Sequence, residues 1–202
     1  MYVFLDVGSG SDESLPSYYR DWTRHRLDID PACHPDVLLD ARHLDRLAAS
    51  SYDAVYCSHN LEHYYRHDGL KVVRGIHHVL KPTGFFEVRV PDVLSLMQAV
   101  VASKLDLDAV VYRSRGNDIR VNDMIYGWSD MIERCGNDFW AHKTGFSTTT
   151  LINFVAPVGF AHYVIGPANP FEIRIYFFKQ APEPHVERLI ANQSIPAAGA
   201  AS

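Results

Sequence analysis

Three histidines in two short stretches have the chemistry to take a proton near neutrality, because an imidazole's ordinary pKa lies close to that range. His59 and His63 fall in "SHNLEHY" and His142 in "FWAHKTGF". As a general base any of the three could relieve a hydroxyl acceptor of its proton, whereas a neutral amine or a thiolate would need less help. His63 can equally fix its loop through a backbone hydrogen bond, and Glu62 can serve as a cap or an ion-pair partner. Tyr126, Trp128, Phe139 and Trp140 surround His142 in sequence and could wall an acceptor or pack into a core. No spacing of His, Cys, Asp or Glu stands out as a metal-ligand pattern, so no metal is expected.

A second set of residues points to a cofactor. The chain opens "YVFLDVGSGSDES", an apolar run followed by two glycines one residue apart. The run reads as a buried strand and "GSG" as a turn that hugs a ligand. A dinucleotide pyrophosphate needs a third small residue, and that position is Glu13, with Asp12 beside it. Two acids would repel a pyrophosphate, and no Gly-Lys-Ser/Thr follows to make a phosphate loop. The turn suits a cofactor with a cationic head, of which the sulfonium S-adenosylmethionine is one. Asp28 in "HRLDIDP" ends the second apolar run, eighteen residues after Gly10, where an acid can accept both hydroxyls of a ribose. Asp30 competes for that role, and either acid could simply cap a turn before Pro31. Asp40 in "DVLLDARHL" sits where an adenine amino group would fall, with Ala41 small enough to admit the ring.

These residues need elements to position them. Strand-like runs recur at 2–7, 26–29, 37–39, 54–57, 85–90, 162–165 and 173–178, with helical patterns between several of them. The clearest helix is "DGLKVVRGIHHVLKP", in which Leu70, Val73, Ile76 or His77, and Leu80 share a face and Pro82 and Gly84 stop it. His77 and His78 on it read as packing and solvent. "STTTLINFVAPVGF" is a further helix, capped by Ser147 and closed by Gly159. Alternating signals of this kind imply an α/β sheet with helices on its faces. Only "DPACHPD" joins the second and third strands, too short for a helix, so a loop or a partner chain, as in a homodimer, covers one face there. The polar, aromatic stretch from about 93 to 145 has the look of a functional lid. Residues 1–180 therefore read as one domain with that insertion, and 181–202 as a flexible tail with little to pack.

The totals limit the partners. A chain of 202 residues with 47% hydrophobic content is globular rather than disordered. A net charge of −5 argues against nucleic acid. No apolar run reaches membrane-spanning length, so no membrane contact is expected. Cys33, Cys57 and Cys135 are odd in number and lack CxxC spacing, as suits a reduced, cytoplasmic setting.

Taken in order, "LDVGSG", "LDID", "LLDA", "YDAVYCSHNLEH" and "VLKPTGFFEVRVPD" resemble the class I S-adenosylmethionine-dependent methyltransferases. The likeness is greatest to the small bacterial group with "LEH" after the fourth strand and "L-K-P-x-G" before the fifth. It runs from about residue 3 to 92 and returns at "HKTGFSTTTLINFVAPVGF". The resemblance implies a Rossmann-like sheet of seven strands, parallel except for the last, with helices on both faces. It implies that Asp6, Gly8 and Gly10 line the methionine end of the cofactor. Asp28 would then meet ribose, Asp40 and Ala41 adenine, and Ser58 or His59 the cofactor's flank. The expected activity is methyl transfer to a small-molecule or glycan-like acceptor. The alternative is a methyltransferase-like protein that holds S-adenosylmethionine or S-adenosylhomocysteine without turnover. The sequence departs from the group in lacking the third glycine, the second helix and any helix before the first strand.

Overall fold

The computed structural model of the protein describes residues 1–10, 15–114 and 116–191. Among these the strands are β1 (Val3–Val7), β2 (Thr23–Asp28), β3 (Val37–Leu38), β4 (Tyr52–Ser58), β5 (Leu80–Pro91), β6 (Val110–Ser114), β7 (Asn117–Arg120), β8 (His162–Ile165) and β9 (Glu172–Phe178). The helices are α1 (Arg66–Val79), α2 (Val93–Ser103), α3 (Val121–Tyr126), α4 (Ser129–Cys135), α5 (Thr148–Val155) and α6 (Pro184–Ala191). Seven strands form one sheet in the order β3-β2-β1-β4-β5-β9-β8. β9 runs antiparallel to both of its neighbours, and every other pairing is parallel. All seven expected strands are present, in the expected sense, while the β6–β7 hairpin gave no sequence signal.

The two faces of this sheet are covered differently. On one, Leu5, Val7, Val55, Cys57, Phe86 and Val88 pack under α1 and α5. Helix α1 turns Val72, Val73, Ile76 and Val79 inward, a face slightly rotated from the expected one. Its glycines let it sit close: a Cβ on Gly75 would lie 2.5 Å from the Leu44 Cβ. The helix ends at Val79 and β5 starts at once, so Pro82 and Gly84 lie inside an irregular strand start rather than stopping the helix.

On the other face, the crossover from β1 to β2 holds no α-helix among its described residues, only a 3-10 turn at Ser17–Tyr19. The β2–β3 crossover likewise has only a 3-10 turn, Pro31–Cys33, as its length requires. In place of helices, Phe4, Ala54, Phe85 and Phe178 lie under Tyr19 and Trp22. Tyr19 stacks on Phe4 with ring centroids 4.3 Å apart. Beyond this aromatic layer, Glu87 is 0% exposed. Its carboxylate accepts hydrogen bonds from the hydroxyls of Tyr18, Tyr19 (3.1 Å) and Tyr176 (3.5 Å). The Arg89 guanidinium completes the set at 2.7 Å. A buried carboxylate is tolerable only when so fully bonded. Burial and the adjacent Glu87 raise both the Tyr18 and the Tyr19 hydroxyl pKa, keeping them neutral donors.

The expected tail is not all tail. Helix α6 seats Val186 and Ile190 on this second face, giving it the only α-helix it has among the described residues. Residues 192–202 lie outside the described part of the chain. The 93–145 insertion has a small core of its own, Leu96, Val121 and Met124, and so packs as a subdomain beside the sheet.

Candidate functional site

The strand order reverses at β1, and the carboxyl ends of β1 to β4 there bring the expected cofactor residues into one row. Ligands of open α/β sheets lie in this position. Gly8 and Gly10 both take positive φ, +70° and +54°. A side chain on Gly8 would also meet Asn60, whose Nδ2 lies 2.2 Å from the position of such a Cβ. The turn after β1 thus stays bare because both backbone and neighbour demand glycine. Asp28 accepts the Gly10 N–H at 2.8 Å through one oxygen and the Asp30 N–H at 2.9 Å through the other. Each oxygen keeps a second lone pair, the number a ribose diol requires. Asp30 is spent differently, capping the 3-10 turn through the Ala32 N–H.

Other members of the row are more committed than the sequence suggests. Asp6 is buried and held by Arg24, with contacts of 2.9 and 2.5 Å. Asp40 caps the turn that begins at Ala41 and pairs with Arg42. Burial pushes the Asp40 carboxyl up, but the Arg42 bonds outweigh it and the net shift is downward. Ala41 is buried beside Leu44, at the rim of the first face. Arg26, unremarked in the sequence, ties the Gly10 carbonyl to that of Cys33 and has a buried Nε with no partner. Asp12 and Glu13 lie outside the described residues. These residues fit S-adenosylmethionine: the turn exposes backbone at two positive-φ glycines, and Asp28 retains acceptor capacity.

Next to the glycine turn, the segment after β4 carries a cluster of imidazoles and carboxylates. Ser58 ends the strand, paired in register with Arg89. His59 takes a left-handed φ of +49° and places its ring between Glu62 (3.5 Å) and Glu172 (3.2 Å). Burial alone would lower its pKa; the two carboxylates reverse this and hold it up at about 10. The two carboxylates thus favour the protonated form of the His59 ring.

Glu62 is 1% exposed, and neither of its carboxylate oxygens has a hydrogen-bond partner. Burial pushes its carboxyl up, yet His59, His63 and His142 draw it below the usual range. Opposite it, the strap 141–144 is zipped to the 61–64 turn. The N–H groups of Lys143 and Thr144 donate to the Glu62 carbonyl, and the Thr144 hydroxyl donates to the Tyr64 carbonyl at 2.7 Å. This pairing brings the His63 and His142 rings to 5.0 Å between centroids, although 78 residues separate them in sequence. Gly127, at φ +99°, makes the crossing possible, since a Cβ there would lie 2.0 Å from the Trp140 carbonyl.

Both rings are held alike. His63 Nδ1 lies 3.1 Å from the Ala141 carbonyl and His142 Nδ1 lies 3.0 Å from that of Met124. A carbonyl only accepts, so each Nδ1 carries the proton and, in the neutral ring, each Nε2 presents a lone pair. Burial lowers the His142 pKa, which keeps that ring neutral. One ring nitrogen of each histidine and a Glu62 carboxylate oxygen lie within 4.8 Å of one another, His142 Nε2 standing 4.0 Å from Glu62 Oε1.

Two of these features were missing from the sequence reading. Glu62 was read only as a cap or pair, and Glu172 was not singled out. The "LEH" motif did mark the first, but its burial follows from the strap, which no local pattern reveals. Tyr126 and Phe139 are exposed, and Trp140 stacks edge-on against Trp128 at 5.8 Å, so these aromatics belong to the surface of the insertion rather than to a core.

Residues 5–88 match a family described as "Methyltransferase domain". Among curated proteins none matches the chain. Several solved structures share its fold. An Archaeoglobus fulgidus S-adenosylmethionine-dependent methyltransferase aligns with a TM-score of 0.55 and 14% identity, over 87% of this chain and 85% of that one. A Thermotoga maritima methyltransferase, described as a possible histamine N-methyltransferase, aligns at 0.54 and 14%, over 88% and 82%. A Burkholderia thailandensis 1,6-didemethyltoxoflavin-N1-methyltransferase, solved with its substrate and S-adenosylhomocysteine, aligns at 0.50 and 13%, over 87% and 68%. Residues 5–88 thus match a methyltransferase-domain family, and the sheet as a whole has the fold of solved S-adenosylmethionine-dependent methyltransferases.

Proposed function

We propose that the protein methylates a small-molecule or glycan-like acceptor seated between the 93–145 insertion, the carboxyl ends of β4 and β5 and the amino end of β9. The observation that carries this is the Glu62–His63–His142 cluster beside the glycine turn: two imidazole lone pairs and a buried carboxylate, next to the cofactor row. S-adenosylmethionine, when bound, supplies a methyl group on a sulfonium whose sulfur keeps the bonding electron pair and leaves as the neutral thioether of S-adenosylhomocysteine. Gly8 and Gly10 would admit the methionine end, Asp28 would accept the ribose hydroxyls, and Asp40 with Ala41 would flank the adenine. Arg26 Nε has a free N–H suited to a carboxylate. The chain's own work is alignment, which can supply much of the acceleration of a displacement. For a hydroxyl acceptor, His142 Nε2 would take the proton as the oxygen forms its new bond to carbon. Glu62 would stabilise the imidazolium so formed, and Tyr112 on the β6–β7 hairpin, whose pKa is raised by burial and then by Glu172 and Glu62, would close the site from above.

The net charge of −5 supports a small acceptor over nucleic acid, and three free thiols support a reduced, cytoplasmic setting. Among the described residues no helix is long and apolar enough to cross a membrane. The thinly covered β2–β3 edge, with Leu38 exposed, supports a homodimer. One observation favours the second reading, a protein that holds the cofactor without turnover: Asp6 is bonded to Arg24 and the first crossover has only a 3-10 turn among its described residues.

Incubation with methyl-labelled S-adenosylmethionine and pools of small metabolites and glycans tests the reading. Label should pass to an acceptor, with the rate falling roughly 10²–10⁴-fold in His142→Ala, the usual scale of general-base loss. Tight S-adenosylhomocysteine binding with no transfer to any pool would replace it by the second reading.

A further inference from the structure

We propose that Glu62, His63 and His142 form a binding site for one divalent first-row transition cation, of the zinc, manganese or ferrous type. Three observations meet at this point. The three donors converge within 4.8 Å from a turn and a strap far apart in sequence. Both Glu62 oxygens are buried without a hydrogen bond, the carboxylate meeting the His59 ring at 3.5 Å and the His142 ring at 4.0 Å. Loose ion pairs at these distances leave a buried carboxylate poorly bonded, and a bound cation would complete its bonding. Both imidazoles, finally, are held as ligands are: each Nδ1–H is tied to a backbone carbonyl, Ala141 for His63 and Met124 for His142, which leaves the Nε2 lone pair free to ligate. This outer-shell arrangement fixes tautomer and ring angle at metal centres.

The donor set selects the class of ion. Two imidazole nitrogens and one carboxylate suit borderline transition ions, whereas magnesium and calcium take oxygen. Metal–ligand bonds of about 2.0–2.2 Å require the donors to close by on the order of 1 Å from their present separation. His59, on the exposed side with 47% of its side chain accessible, is the group that would yield as they do. Three protein ligands leave coordination positions open, and an acceptor oxygen there would release its proton to solvent more readily, the cation then replacing His142 Nε2 as the group that activates it. That use of the cation rests on the proposed methyl transfer; its binding does not.

The site was hidden in the sequence because Glu62 and His63 are adjacent, an uncommon ligand spacing, and the third ligand arrives only through the 141–144 strap. The expectation of no metal rested on spacing alone.

The test uses the full-length protein, stripped with chelator and titrated with Co²⁺ as a spectroscopic probe and with Zn²⁺ by calorimetry. One equivalent should bind, with visible d–d bands, and affinity should fall at least tenfold in His142→Ala, His63→Ala and Glu62→Gln, each checked for folding by circular dichroism. His67→Ala, at an exposed position, should bind as the parent does. Absence of a one-equivalent event in the parent, or equal affinity in Glu62→Gln and the parent, overturns the site. S-adenosylhomocysteine is titrated in parallel. Cofactor binding without Co²⁺ binding discards the cation and leaves methyl transfer standing. Co²⁺ binding without cofactor binding keeps the site and discards its assigned use.

Discussion

The two faces of the sheet solve the same burial problem by different means. Under α1 and α5 the solution is apolar throughout, with Val72, Val73, Ile76, Leu151 and Phe154 meeting Val55, Phe86 and Val88. On the opposite face, with only the short α6 among the described residues, the chain uses tyrosine rings and one buried ionic centre, Glu87 with Arg89 and three hydroxyls. The first solution is forgiving, because truncating one aliphatic side chain leaves no polar group without a partner. The second is brittle, because removing one member strands the others without partners.

Glu87→Ala should therefore be the most damaging single change, costing about 3–5 kcal/mol by leaving Arg89 and the tyrosine hydroxyls buried and unbonded. Urea unfolding measures it, and a loss below that of a core methyl deletion would show the centre to be dispensable. Ile190→Ala removes one of the two α6 side chains on that face and should cost about 2 kcal/mol, the low end for such truncations. No loss would mean that α6 adds nothing to the second face. On the apolar face, Ile76→Val should cost only about 1 kcal/mol, by loss of one methylene. The smallest perturbation is chemical. Burial, then Glu62 and Asp6, raise the Cys57 pKa, so its thiolate forms only at higher pH than that of an ordinary thiol. Iodoacetamide at pH 8 should modify the exposed Cys135 and spare Cys57 until the protein unfolds. Equal rates would show that the apolar face opens readily.

The same contrast explains what could be read from the sequence. The seven strands and α1 announce themselves through apolar runs and helical spacing, since their partners are generic hydrophobic surface. The positions of the glycine turn, Asp28 and Asp40 at strand ends were legible, whatever packs elsewhere. Glu87 and Glu62 were not, because a charged residue inside an apolar run, or in a short turn, gives no local sign of burial. Their partners, Tyr18 and Tyr19 in one case and His142 in the other, come from distant segments. For the same reason the ion pairs of His59 gave no sign: its two carboxylates, Glu62 and Glu172, meet only in the folded chain. Helix α6 was missed because "PHVERLI" is short and precedes a stretch of small residues, although Val186 and Ile190 lie one turn apart.

Calorimetric titration with S-adenosylhomocysteine, on the parent protein and Asp28→Ala, tests the assignment of the carboxyl-end row most directly. The parent should bind one equivalent saturably, and Asp28→Ala should bind at least tenfold more weakly, about 1.4 kcal/mol, through loss of the ribose contact. No binding by the parent, or unchanged affinity in the folded variant, would contradict the placement of the cofactor along Gly8, Gly10 and Asp28.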